Sequence, residues 1–407
     1  MIISNVIRSP LKRGGFSWSS YWATLISAVV NDTDATKIDL TFPSAKSLDE
    51  SDFTIPGVTF TGSSWTGGVL TLQATAEIYT SPTITFVLTG GTAFVKNPRF
   101  IITVDTTKIG SAADTFILPN YINGTYDYYV DWGEGGAEEH ITTAGNHSHT
   151  YAASGTYKIK IRGIMPRIYF SDTGDKNKIT SIDNWGNIEW SSMNRAFHGC
   201  GNMQGNYTDV PNFSSMNDMN RMLASCSLFN KSVEGFNTGN VTDLSFMLIS
   251  STAFKQSLAG FTLAPTLTSM SNMLTGCNIN AAGTTTNYDA TLISWAAQNP
   301  PNSLSFNGGN SKYGEGLVDS GTTDGVAANK LIQSGQNFLT TVTVGDVVYN
   351  TTDGTYALVT AIDSDTQLSI SADIMASGEV YRIQHSDAAK ARAKLILTDL
   401  WTITDGC

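Results

Sequence analysis

The first quarter of the chain alternates apolar and polar residues. Ile38-Asp39-Leu40-Thr41-Phe42, Val69-Leu70-Thr71-Leu72 and Ile84-Thr85-Phe86-Val87-Leu88 are short runs of this kind, and Gly67-Gly68 and Gly90-Gly91 punctuate them. Period two puts successive side chains on opposite faces, so each run predicts a half-buried strand, and this spacing of strands and turns predicts an Ig-like β-sandwich over 31–98. Residues 1–30, with Trp18, Tyr21 and Trp22 in a polar context, read as an N-terminal docking arm or, equally, as aromatics that cover the sandwich. A later alternating run, Gly155-Thr156-Tyr157-Lys158-Ile159-Lys160-Ile161, closes a second β segment over 99–164.

From about residue 165 the pattern becomes a long repeat. Met193-Asn194-Arg195-Ala196-Phe197-His198-Gly199-Cys200 aligns with blocks starting at Met219, Leu244 and Met270, which lie 26, 25 and 26 residues apart. Another apolar residue stands three positions before each start, at Trp190, Met216, Val241 and Leu267, and Phe213, Phe236 and Phe261 fill the intervals. A unit of this length can bury its apolar face only against the next copy, so the period predicts a stacked solenoid over 165–316. Asn287–Gln298 is helical in period, and Asp387–Leu395 lies near the C-terminal end. Between them, Val342–Tyr349, Ala357–Ile362, Gln367–Ile370 and Gly378–Ile383 predict strands, with turns at Asp353-Gly354 and Asp363-Ser364-Asp365.

Three resemblances refine this layout. Asp131-Trp132-Gly133-Glu134-Gly135, His149-Thr150-Tyr151 and Gly155-Thr156-Tyr157 resemble the polycystic-kidney-disease-type domain, an Ig-like sandwich, with Glu134 in place of the usual Asp. Asn240-Val241-Thr242-Asp243-Leu244-Ser245-Phe246-Met247-Leu248 and Ser227-Leu228-Phe229-Asn230 resemble the BspA-type leucine-rich-like repeat of bacterial surface proteins and mycoplasma lipoproteins. That resemblance implies that Ser311-Lys312-Tyr313 runs into the 387–395 helix and Trp401-Thr402-Ile403-Thr404-Asp405-Gly406, so 386–407 is the solenoid's C-terminal cap and 317–385 an inserted small β domain. The inserted stretch, Gly345 to Leu368, resembles β modules recurring in virion fibre proteins of phages that infect Bacteroidetes, including crAss-like phages. The fold class expected is therefore mainly β and multidomain: Ig-like sandwiches, then a leucine-rich-repeat-like solenoid carrying an inserted β domain.

Composition narrows the chemistry. Lys and Arg number 24 against 35 Asp and Glu, a net charge of −11, which repels nucleic-acid phosphates. Only 14% of residues are charged, so Ser, Thr, Asn and Gly supply the polar surface, an extracellular-looking composition. Phe16–Val30 is interrupted by hydroxyl residues and is shorter than the roughly 20 residues a membrane span needs. Although Arg8, Lys12 and Arg13 precede it, its two tryptophans and five Ser/Thr residues make a poor signal-peptide core. Cys200, Cys226 and Cys277 share one repeat position with Ser251, which predicts a ladder of small, half-buried free thiols.

His140, His147 and His149 near Glu138 and Glu139 form a set with metal-ligand chemistry, but its loop setting and the structural role implied for His149 argue for no metal. Asp363, Asp365 and Asp373 lack calcium-loop spacing and read as solvated turn carboxylates. No nucleophile elbow, Walker loop, HExxH or Rossmann pattern occurs. No catalytic, cofactor-binding or metal residue is nominated, and no cofactor is expected. The function expected is that of a phage virion structural protein, a fibre or a head- or tail-surface protein attaching to the host. The alternative is a secreted BspA-type bacterial surface adhesin. The partners expected are other virion proteins through the N-terminal region and a host cell-surface glycan or protein, with no nucleic acid, no membrane span and a homo-oligomer such as a trimer. The poor export signal, and a chain that stops at the cap without a sorting module, favour the virion.

Overall fold

The computed structural model describes residues 12–13, 16–17, 25, 27–31, 36–42, 48–76, 78, 83–86, 91–94 and 98–406. The protein is mainly β, with several separate sheets. Two compact units divide the chain: Met1–Ile168, Asn177–Trp190 and Asn202–Asn212 form the first, and Tyr169–Lys176, Ser191–Gly201 and Phe213–Cys407 the second. Trp18, Tyr21 and Trp22, the aromatics of the expected docking arm, lie outside the described residues.

In the first unit, Ser27–Val30, Lys37–Thr41, Val69–Ala74 and Phe60–Thr66 pair in that order as an antiparallel sheet. Strand Ser27–Val30 therefore continues the sheet into the segment assigned to the arm. Phe53–Thr54, Thr83–Phe86 and Gly91–Phe94 make a second sheet. Both sheets contribute to one core, with Ile38, Leu40, Leu70 and Leu72 from the first and Phe53 and Ile84 from the second. The alternation in the sequence is thus realised as burial of every second side chain.

A six-stranded sheet follows, ordered Glu139–Ile141, Asp127–Asp131, Thr156–Ile164, Phe100–Asp105, Ile179–Asn184 and Gln204–Gly205. Thr115–Leu118 pairs with His147–Thr150 beside it. Strand Ile179–Asn184, from the segment read as the start of the repeats, is antiparallel to Phe100–Asp105. Its Ile179 and Ile182 are fully buried. Trp190 likewise packs edge-on to Phe100, 5.1 Å between ring centroids, so the first of the four pre-block apolar residues serves this unit's core.

The second unit holds the repeats, a closing segment and a further β sheet over 317–385. Helix α1, Thr286–Ala297, and the strand Ser305–Asn307 follow the last repeat. Ser305–Asn307 then pairs in parallel with Thr402–Thr404, almost a hundred residues later. Helix α2 is the short Phe338–Thr341, and α3 is Asp387–Leu397, begun by the Ser386 hydroxyl accepting from Ala389 N–H. Helices α1 and α3 pack together.

Between Gly316 and Ser386 the chain forms a separate antiparallel sheet, ordered Leu317–Thr322, Val380–Gln384, Val347–Asn350, Thr355–Ser364, Gln367–Ile370 and Lys330–Ile332. Its core includes Leu331, Phe338, Val348, Val359, Leu368 and Tyr381. The expected strand over Val342–Tyr349 starts only at Val347, because Asp346 turns its carboxylate back onto Thr343 N–H and Oγ and bends the chain there. The turn expected at Asp363-Ser364-Asp365 lies one step later, since Thr355–Ser364 runs on through register shifts after Val359 and Ile362.

Candidate binding surface of the repeats

Each repeat donates backbone hydrogen bonds to the next from every second residue. Met193, Arg195, Phe197 and Gly199 N–H groups donate to Asp218, Asn220, Met222 and Ala224 carbonyls at 2.8–2.9 Å. Met219, Arg221, Leu223 and Ser225 do the same to Asp243, Ser245, Met247 and Ile249, and Leu244, Phe246, Leu248 and Ser250 to Ser269, Ser271, Met273 and Thr275. The ladder ends on the closing strand, where Leu274 N–H donates to Asn307. Met193, Met219, Met222, Met247, Met270 and Met273 recur at two positions of the blocks and are all fully buried, so these methionines are packing core.

Three side-chain rows follow from this register. The inner one is the cysteine position. Cys226 Sγ donates to Phe197 O at 3.1 Å and Cys277 Sγ to Leu248 O at 2.9 Å. Cys200, Cys226 and Cys277 are free and fully buried, where half-burial was expected; the ladder closes over the position from both sides. Burial pushes all three thiols up, Cys277 to about 11, so they stay protonated and able to donate. Cys407 lies outside the described residues.

A polar row lies at the start of each block. Asp218 and Asp243 accept from backbone N–H groups two residues on, Asn220 and Ser245, at 2.8 and 2.7 Å. Their other oxygens accept from Asn194 and Asn220 side chains of the preceding repeat at 3.0 and 3.1 Å. In the next pair serines take over, Ser245 Oγ lying 2.5 Å from Ser269 Oγ. Each of these polar groups is thereby satisfied between neighbouring repeats.

The outer row is Arg195, Arg221, Phe246 and Asn272. All four are held in the left-handed region, φ 54°, 53°, 59° and 54°, and all are partly exposed. The Arg221 guanidinium lies 4.0 Å from the Phe246 ring centroid, a cation–π contact. His198 stands near the first two positions. Burial lowers its pKa, Asp172 opposes that, and the positive charges of Arg195, Arg221 and Lys176 lower it further. Sequence reading did not single this row out. The signal was present in the alignment of the blocks at the third position, but only the shared backbone conformation shows that the position faces outward in every repeat.

The metal candidates are separated onto different partners. His140 stacks on Tyr129 and hydrogen-bonds Asp127 at 2.7 Å, His147 bonds Thr143 O, and His149 stacks on Trp132 with its Nε2 2.9 Å from Glu134. Glu138 chelates the Arg162 guanidinium, and Glu139 accepts from Trp132 Nε1. Around them, Gly133 takes φ 89° with its Cα facing Lys158 O so closely that a Cβ would sit 2.6 Å from it, and Tyr151 OH caps Trp132 O at 3.1 Å. Asp363 is bound to Lys330 and Ser369, Asp365 presents its carbonyl to Phe338 N–H, and Asp373 accepts from Asn329 N–H. Among the described residues, no helix is long and apolar enough to cross a membrane.

A family model described as "Mycoplasma protein of unknown function, DUF285" matches residues 167–288, the span of the repeats up to the start of α1. No curated protein and no solved structure matches the chain.

Proposed function

We propose that this chain is a phage virion structural protein, a fibre or a head- or tail-surface protein, that displays its repeats as a solenoid for attachment to the host surface. The observation that carries the reading is how the insertion is spliced. His385 N–H donates to Gly316 O at 3.0 Å, and Ser386 N–H to Glu315 O at 3.3 Å, so the two ends of a β module with its own core meet at one point of the closing segment. The pairing of Ser305–Asn307 with Thr402–Thr404 proceeds as though nothing intervened. A chain assembled from self-contained β modules, one of them similar in sequence to those of phage fibres, fits a display protein.

The finer modular reading belongs to the same proposal. Two sheets sharing one core support an Ig-like sandwich over 31–98, and the Gly133 turn with its Trp132, His149 and Tyr151 contacts supports a polycystic-kidney-disease-type domain over 99–164. In this reading the N-terminal region docks on other virion proteins, no reaction is catalysed, and several copies, as in a trimer, multiply a weak surface contact by avidity. A bacterial surface adhesin of the BspA type is the second reading, favoured by the match of 167–288 to a family described from Mycoplasma.

Mass spectrometry of purified phage particles tests the choice. The virion reading expects the chain in the particle and its loss when residues 1–30 are removed from a still-folded protein. Recovery on the surface of uninfected cells, with the N-terminus cleaved near Ala28, would refute it in favour of the adhesin.

A further inference from the structure

We infer that the outer row of the repeats, centred on Arg195 and Arg221, binds an acidic polysaccharide, the two guanidinium groups pairing with carboxylate or sulfate oxygens of the glycan. This names a ligand class for the face that the proposed function presents to the host, and rests on that reading only for where the glycan comes from.

The first ground is charge. In a protein of net charge −11, Arg99 and Arg162 face Glu138, Arg382 faces Glu315 and Arg392 faces Asp405. Arg195 and Arg221 have no carboxylate partner among the described residues. Arg221 Nη1 donates to the neutral Asn220 Oδ1 at 3.2 Å, and Arg195 Nη1 makes a long 3.5 Å contact with Ser171 Oγ. Each guanidinium has five donors in a rigid fork suited to oxyanions, so most of this capacity is uncommitted.

The second ground is placement. The ladder puts Arg195 and Arg221 at one position of adjacent repeats, one strand spacing of ~4.8 Å apart along the backbone, with Phe246 next in line. Like charges stacked in register repel, which a bound anion would relieve. Phe246 holds the Arg221 guanidinium in place before any ligand arrives and lends the row an apolar surface for the C–H faces of a sugar ring. His198 adds a buried Nδ1 without a hydrogen-bond partner among the described residues, while the nearby Asp172 is committed to Lys176. The net charge of −11 repels the long phosphate array of nucleic acid, whereas a glycan can seat its sugar rings on Phe246 while a few of its oxyanions reach the two guanidinium groups.

The test uses the full-length chain and immobilised polygalacturonate, heparin, neutral dextran and double-stranded DNA. Binding to polygalacturonate or heparin, weakening as salt is raised, and about tenfold weaker in each of Arg195→Gln and Arg221→Gln, is the expected result. Binding to polygalacturonate would show that carboxylates suffice, and binding to heparin alone that sulfate is required. Lys108→Gln, an exposed change elsewhere, should bind as the parent does. Equal binding to dextran, binding to DNA alone, or full affinity in a folded Arg195→Gln/Arg221→Gln double variant would each overturn the inference. Because the assay uses purified protein, it can fail while the chain is still found in the virion, and it can succeed while the virion reading fails.

Discussion

The Ser251 hydroxyl donates to the backbone carbonyl of Leu223 at 2.5 Å. One repeat earlier Cys226 makes the equivalent bond to Phe197, and one repeat later Cys277 makes it to Leu248, so hydroxyl and thiol are interchangeable donors in a single inter-repeat ladder. Ser251 Oγ also accepts from Cys226 N–H at 3.1 Å, which ties the two kinds of rung together.

Cys226→Ser should therefore be tolerated, with a stability change under about 1 kcal/mol, because the donor is retained. Cys226→Arg should lower stability by more than about 4 kcal/mol, since it places an unpaired charge at a position with no exposure. Urea-unfolding midpoints read both. A serine variant as damaged as the arginine one would contradict the ladder.

Thiol ionisation makes stability fall with rising pH. Cys277 titrates at about 11 in the folded chain against an ordinary value of 9.0, so between those values the unfolded state loses its proton while the folded state keeps it. Stability contributed by the protonated thiol is full below pH 9 and is lost as pH rises to about 11, by at most about 1.4 kcal/mol per pH unit. Cys277→Ser, which cannot ionise there, should show a shallower decline over the same range than the parent. Identical slopes in parallel melts would refute the assignment.

The insertion should be removable. Gly316 adopts φ +57° and lies so close to Ser386 that a Cβ on it would be 2.8 Å from Ser386 N, so joining the two positions needs little rearrangement. A chain lacking 317–385 should keep its repeats folded by circular dichroism and stay monodisperse. Deleting 386–407 should instead uncover the apolar faces of Trp295 and Phe306 and cause aggregation. The reverse outcome, unfolded repeats in the first and intact repeats in the second, would show that the closing segment has been misassigned.

The closing segment is clamped by a buried ion pair. Arg392 donates from Nε and Nη2 to the two oxygens of Asp405 at 2.8 and 3.1 Å, and from Nη1 to Tyr356 OH of the insertion at 2.6 Å. Tyr288 OH of α1 donates to the same carboxylate at 2.9 Å. Asp405→Ala leaves a buried guanidinium uncompensated and should lower stability by about 3–5 kcal/mol. Arg392→Met, which removes the charge and keeps much of the volume, restores part of that loss in the Asp405→Ala background. Chemical denaturation of the single and double variants forms the cycle that tests the coupling.

The sequence by itself determined the strands of the first segments, helix α1 and the 25- to 26-residue repeat, because period is a local consequence of which residues recur; the later helix and the buried methionines were legible only through the resemblance to known repeats. It also determined that one polar side chain could replace cysteine in the inner row, since Ser251 stands there. Tertiary structure decided what depends on partners distant in the chain. Ile179–Asn184 joined the six-stranded sheet by pairing with Phe100–Asp105, and Trp190 packed edge-on to Phe100, both contacts with residues far earlier in the chain. The histidines and glutamates near residue 140 went to separate partners according to which strands lay beside them. Asp346 delayed to Val347 a strand that alternation alone would have begun five residues earlier, at Val342. The outward arginine row was settled in the same way, because a side chain's exposure is fixed by the backbone turn and the neighbouring repeat, and neither is written at the residue itself.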